Sequence, residues 1–129
     1  MIDGLDHMTI VTADLAASRR FYAEVLGLRD GERPPFDAPG AWLYQGDRPI
    51  VHLVGRGAGE AGGSTGPFDH FAFRASDLAG TVARLDGHGV AYELRTVPGA
   101  GLRQVFVHDP DGVKIELNFA AGERLPGED

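Results

Sequence analysis

The chain has no cysteine. That excludes disulfides, a thiolate nucleophile and any thiolate metal site, so a bound metal would have to be held by histidine and carboxylate. Positive charge is also scarce: 12 Lys and Arg face 19 Asp and Glu, for a formal net charge of −7. Such a surface repels phosphate backbones and anionic headgroups, so neither nucleic acid nor membrane is expected as a partner. No apolar run approaches the ~20 residues of a membrane span. The first residues show neither the basic patch nor the apolar stretch of a signal peptide, and a cytoplasmic protein is expected. What the chain does have is 129 residues with 43% hydrophobic content, which suffices for one compact domain with a substantial core.

The sequence repeats itself. "DGLDHMTIVTADL" (3–15) and "GPFDHFAFRASDL" (66–78) each place an Asp-His pair before a short apolar run and close on Asp-Leu. The histidines are 70 − 7 = 63 residues apart, and at that offset Asp6, His7, Asp14, Leu15 and Ala16 recur as Asp69, His70, Asp77, Leu78 and Ala79. Each copy reads as an apolar strand, an Asp N-cap and a helix: Asp14 before "LAASRRFYAEVL" and Asp77 before "LAGTVARLDGH". Gly27 and Gly89 stand where a left-handed C-cap is wanted. Three strand-like runs follow each helix. In the second half they are "AYELRTV", "LRQVFV" and "VKIELNF"; in the first, "AWLYQ" and "IVHLV" are clear and the one near "LRDGERPPF" is faint. The expected fold class is α+β, with two βαβββ modules at about 4–55 and 67–119, a glycine-rich linker at 55–66 and a fraying polar tail at 120–129.

The linker contains Gly57-Ala-Gly59-Glu-Ala-Gly62, which matches G-x-G-x-x-G. A dinucleotide site needs a helix opening directly after that motif. Here Gly63, Gly66, Pro67 and another strand follow, so the stretch reads as a connector.

Strand alternation sorts the side chains onto two faces. Met8, Ile10, Phe71, Phe73, Val105, Val107, Ile115, Leu117 and Phe119 form the set expected under the helices. The other face takes His7, Thr9, His70, Arg74, Gln104, Phe106, Lys114, Glu116 and Asn118, with His52, Trp42 and Tyr44 from the first half. A single strand histidine is usually an ordinary hydrogen-bonded group. Four residues, His7, His52, His70 and Glu116, at repeat-related positions on one face are harder to set aside, since 116 − 52 = 64 nearly equals the repeat offset. Two histidines and a carboxylate with open coordination positions suit Fe(II), Mn(II), Ni(II) or Zn(II).

With "LDHMTIVTADLAASRRFYAEVLGL" and "FDHFAFRASDLAGTVARLDGHGV" heading the halves and "HDPDGVKIELNF" closing the second, the chain resembles the vicinal oxygen chelate superfamily. That superfamily includes glyoxalase I, extradiol dioxygenases, methylmalonyl-CoA epimerase, fosfomycin resistance proteins and bleomycin-binding proteins. The resemblance implies paired modules curled into a cup-like mixed sheet around one metal, with His7, His70 and Glu116 as ligands, and a homodimer as the expected assembly. It also implies a role for His52: an acid-base residue, as in the dioxygenases, or a fourth ligand, as in glyoxalase I and the epimerase.

The resulting expectation is an Fe(II)-dependent oxygenase acting on an aromatic or polyketide-like small molecule. His52 is its catalytic residue, and Trp42, Tyr44, Arg103, Phe106 and His108 line its substrate. One departure stands against ring cleavage: the strand before the Glu ligand carries Phe106 and His108 where those dioxygenases carry a tyrosine. The alternatives are a lyase, isomerase or epimerase using Ni(II), Zn(II) or Mn(II) as a Lewis acid, then a drug-sequestering protein or a thiol transferase.

Overall fold

The structure is a computed structural model that describes residues 1–56 and 65–128. The glycine-rich stretch with its G-x-G-x-x-G match lies at 57–64, outside the described residues. The chain divides into two compact units, Met1–Gly63 and Ser64–Asp129.

In the first unit β1 (Met8–Thr12) leads into α1 (Leu15–Arg20), and then come β2 (Arg29–Gly31), β3 (Gly40–Gln45) and β4 (Arg48–Gly55). The sheet order is β1-β4-β3-β2. β1 and β4 run parallel, while β4–β3 and β3–β2 are antiparallel. The second unit repeats the plan with β5 (His70–Arg74), α2 (Leu78–Gly87), β6 (Glu93–Thr96), β7 (Arg103–His108) and β8 (Lys114–Phe119), in the order β5-β8-β7-β6. The fold is α+β and the βαβββ repeat is present in both units.

Local chemistry explains the helix ends. Asp14 Oδ1 accepts from Ala17 N at 3.0 Å, and Asp77 Oδ1 accepts from Gly80 N at 3.0 Å, which satisfies donors that a first turn leaves open. Gly27 and Gly89 have φ of 80° and 68°, the left-handed backbone that ends a helix where a Cβ would be strained. Two details depart from expectation. After Arg20 the first helix widens into a π-helical turn over Phe21–Val25, so the expected helix over 15–26 is regular only in its first half. The faint strand of the first module is just three residues long.

The alternation is as expected in its main lines. Ile10, Leu43, Val51 and Leu53 are buried in the first unit, with Phe21 and Tyr22 from beyond α1. Phe71, Val105, Val107, Ile115, Leu117 and Phe119 are buried in the second, with Leu78, Val82 and Leu85 of α2. Met8 and Phe73, placed in the same set by the sequence, are only half-buried. β3 slips register between Leu43 and Tyr44, so Trp42 faces His52 while Tyr44 faces Pro49.

The segment after β8 corrects the expectation of a frayed tail. Glu123 Oε1 accepts from Leu78 N at 2.8 Å, and Glu123 O and Glu128 both accept from Arg103. Residues 120–128 are therefore strapped to the start of α2 and to β7.

Two glycines give a paired stability test. A Cβ at Gly40 would stand 2.5 Å from the Leu53 carbonyl oxygen, whereas one at Gly87 meets nothing within 4 Å. Gly40→Ala is expected to destabilise the protein by about 1–3 kcal/mol through forced backbone shifts. Gly87→Ala, in α2, is expected to stabilise it by about 0.4–1 kcal/mol. Urea unfolding of both variants checks the opposite signs.

Candidate functional site

The parallel pairs set the site residues. In the first unit Thr9 lies opposite His52, and in the second Ala72 lies opposite Glu116. Thr9 is two residues after His7 and Ala72 two after His70, so each unit places its histidine diagonally across from one polar residue of its last strand. His52 and Glu116 are structural counterparts.

In the first unit the three candidates form a stack. The His7 and His52 rings are 3.8 Å apart at 11°, and His52 lies 4.1 Å from the Trp42 ring at 12°. The stack continues to residues the sequence did not single out. Phe36, 56% exposed on the β2–β3 loop, tilts against Trp42 at 6.3 Å, and the Arg33 guanidinium sits 5.1 Å over Phe36. Nothing in "ERPPF" marks these two, because a loop has no periodicity to read.

His7 and His52 are held differently. His7 Nδ1 lies 2.7 Å from Asp6 Oδ2, so Nδ1–H donates to the carboxylate, and in the neutral ring the lone pair is on Nε2. His52 Nε2 lies 3.0 Å from the Pro49 carbonyl oxygen, which can only accept, so in neutral His52 the lone pair is on Nδ1. Burial and the neighbouring His7 push the His52 imidazole below its usual value, with the Pro49 bond and Asp6 opposing them. His52 is therefore neutral at pH 7.

In the second unit His70 repeats the His7 arrangement, with Nδ1 2.6 Å from Asp69 Oδ2. The hydrogen bond from each histidine is the main cause that holds Asp6 and Asp69 below the usual carboxylate range, and Lys114 assists at Asp69. His70 Nε2 lies 3.2 Å from Glu116 Oε1, whose side chain is 15% exposed. Glu116 Oε2 accepts from Asn118 Nδ2 at 2.7 Å, and Asn118 Oδ1 accepts from Gln104 Nε2 at 3.1 Å. The repeated Asp-His pair is visible in the sequence, but alternation alone assigns its aspartates no role. The pair itself was the signal, since an Asp behind a histidine fixes ring and tautomer.

The donors fit a divalent metal. Carboxylate-backed histidines offering Nε2 are the usual arrangement behind metal-ligating imidazole. Nitrogen and oxygen ligands lie roughly 2.0–2.2 Å from an ion such as zinc. Two in neighbouring positions then sit about 3 Å apart, in keeping with the 3.2 Å between His70 Nε2 and Glu116 Oε1. Within either unit, no three His, Asp or Glu side chains of the described residues gather as a cage.

The other candidates divide. Phe106 is buried, opposite Glu116 in register, with its ring edge-on to His70 at 6.5 Å. Arg95 and Lys114 flank that ring at 5.2 and 5.0 Å. His108 is exposed at the end of β7 and lines a depression of about 250 Å³ with Tyr92, Phe106 and Lys114. Tyr44 is engaged elsewhere: its hydroxyl donates to the Glu32 carbonyl at 2.5 Å, and Arg29 covers its ring at 4.6 Å.

Arg103 is on the other side of the sheet. It shares the face of Val105 and Val107, away from Glu116, and is 5% exposed. Its guanidinium is committed to Glu128 through Nη1–Oε1 at 3.0 Å and Nη2–Oε2 at 2.9 Å. Strand alternation puts an odd-numbered β7 residue on the core face, so Arg103 does not join the wall containing Phe106.

The model of the Glyoxalase/Bleomycin resistance protein/Dioxygenase superfamily matches residues 4–117. The chain belongs to this superfamily. A protein called "Glyoxylase I 4" from Arabidopsis thaliana is 29% identical over 123 residues, covering 90% of this chain and 70% of that one. A lactoylglutathione lyase from Salmonella typhimurium is 30% identical over 119 residues, covering 86% of this chain and 88% of that one. The crystal structure of a glyoxylase/bleomycin resistance protein/dioxygenase domain from Frankia sp. EAN1pec superposes with a TM-score of 0.77 at 21% identity, over 93% of this chain and 99% of that one. It shares the fold.

Glu128 supplies a pH test. The Arg103 guanidinium lowers its carboxyl from the ordinary value of 4.5 to about 2. A carboxyl depressed on folding contributes stability above its unfolded value and loses that contribution as pH falls toward the folded one. The stability gap between the wild type and Glu128→Gln is therefore expected at full size above pH 4.5 and to close toward pH 2. Thermal melts of both proteins across that range check it.

Proposed function

We propose that the protein is a divalent-metal-dependent lyase or isomerase that moves a proton next to a carbonyl in a small substrate with two neighbouring oxygens. The observation that carries this is the pair of Asp-backed histidines presenting Nε2, one of them beside Glu116. His7, His70 and Glu116 are the proposed ligands. A divalent ion held by them supplies Lewis acidity. Asp6 and Asp69 hold the imidazole tautomers, and Asn118 fixes the carboxylate.

His52 is the proposed proton carrier. A general base needs a neutral lone pair at working pH, and His52 has one on Nδ1. It lacks the carboxylate backing of the two proposed ligands, which favours proton transfer over coordination. Trp42 and Phe106 supply apolar surface for a flat substrate portion. The likeness to lactoylglutathione lyases supports a thiol adduct of a 2-oxoaldehyde as the substrate class, and on it we prefer this reading to the iron oxygenase expected from the sequence. The absence of carboxylate backing at His52 also suits an acid-base residue beside bound dioxygen, so the oxygenase remains the second reading.

The test is an assay of protein loaded in turn with Ni(II), Zn(II), Mn(II) or Fe(II), supplied with methylglyoxal and a thiol. Thioester formation without oxygen uptake is expected. Oxygen consumption with Fe(II) and a catechol, and no thioester with any metal, would replace the lyase by the oxygenase.

Variants separate the roles. His52→Ala is expected to lower kcat by about 10²–10⁴-fold and leave metal affinity unchanged. Glu116→Ala is expected to abolish tight metal binding with the fold intact, and Asp69→Asn to weaken it by about 10–100-fold. Competition with a chromophoric chelator measures all three; a tenfold loss of affinity in His52→Ala would make that residue a ligand.

A further inference from the structure

The second unit holds a buried cation outside the machinery described above. Arg103 is 5% exposed on a face otherwise built from Val105, Val107, Ile115, Leu117 and Phe119. A guanidinium in such a place requires an anion with matching geometry. It is met by a bidentate carboxylate from Glu128 and by the Glu123 main-chain oxygen at 2.8 Å. One donor is left over: Arg103 Nε is buried with no partner among the described residues.

Beside this pair lies a groove of about 580 Å³, lined by Thr96, Gly101, Gly122 and Arg124 as well as Arg103 and Glu128. That volume is within the range of small-molecule sites, which runs from roughly 300 to 1,000 Å³. The groove brings together a buried planar fork, a second cation, a hydroxyl and backbone at two glycines. Glu128 itself comes from a loop, not a strand. Its exchange would free Leu125 N, which donates to Glu128 Oε1 at 2.7 Å, and would leave Glu123 anchored to both Arg103 and Leu78 N.

We propose that this groove is a second ligand site, for a small dicarboxylate, and that Glu128 occupies its carboxylate position as an intramolecular stand-in. One carboxylate of the ligand takes the place of Glu128 on Arg103, and the other meets Arg124. The site lies on the face of β7 opposite to that of Phe106, so it is independent of the proposed metal chemistry.

Calorimetric titration with succinate at fixed ionic strength tests this. Glu128→Gln, which removes the competing charge, is expected to bind succinate at least tenfold more tightly than the wild type. Adding Arg103→Lys is expected to cancel the gain, because an ammonium cannot supply the fork. Adding His70→Ala is expected to leave the gain in place. The proposal is overturned if Glu128→Gln binds no more tightly, if the gain survives Arg103→Lys, or if it vanishes with His70→Ala. Should Glu128→Gln fold poorly by circular dichroism, Arg124→Gln in the otherwise unchanged protein serves instead. At least a threefold loss of succinate affinity is then expected, and an unchanged affinity overturns the assignment.

Discussion

The parallel pairing of the first and last strand of each unit is the constraint on which the candidate site depends. Parallel strands cannot be joined by a tight turn, so a helix and two further strands must intervene, and they do so twice. The same register follows in both units. Thr9 faces His52 and Ala72 faces Glu116, so a histidine two residues upstream is brought diagonally beside a polar residue 52 − 7 = 45 or 116 − 70 = 46 positions away in sequence. A slip of one residue in either pair would turn His52 or Glu116 into the core.

On that shared frame the two units carry different chemistry. The first surrounds its histidine with rings, from Arg33 and Phe36 through Trp42 and His52 to His7. Burial and the neighbouring His7 push the His52 imidazole below its usual value, and the Pro49 carbonyl selects its tautomer. The second surrounds its histidine with polar groups: Gln104, Asn118 and Glu116 are joined by hydrogen bonds, Asp69 accepts from His70 Nδ1, and Glu116 Oε1 lies 3.2 Å from His70 Nε2. Common to both is the aspartate immediately before the histidine, which pins Nδ1 and leaves Nε2 on the far side of the ring.

The opposite face of the second sheet shows how far a single buried charge can organise a segment. Arg103 stands at the end of a row of aliphatic residues, and its need for acceptors draws in both Glu123 and Glu128. Glu123 also reaches the first turn of α2. Residues that look like a soluble tail by composition are ordered by one cation that composition cannot locate.

The sequence by itself determined the repeat, the strands, the helix caps and the two faces, because each rests on local rules: period-two alternation, Asp before a helix, glycine after it. The placement of His52 and Glu116 on one kind of face follows from the same rules and from the 63-residue offset. Tertiary structure alone decided the rest. It decided which imidazole nitrogen is free, since that depends on a carbonyl or carboxylate partner; that Tyr44 spends its hydroxyl on Glu32; that Phe36 and Arg33 extend the aromatic stack from a loop; and that Arg103 pairs with Glu128. These are contacts between side chains and distant or irregular backbone. Sequence pattern assigns a residue to a face, whereas only the packed chain supplies the partner that sets its charge, tautomer and use.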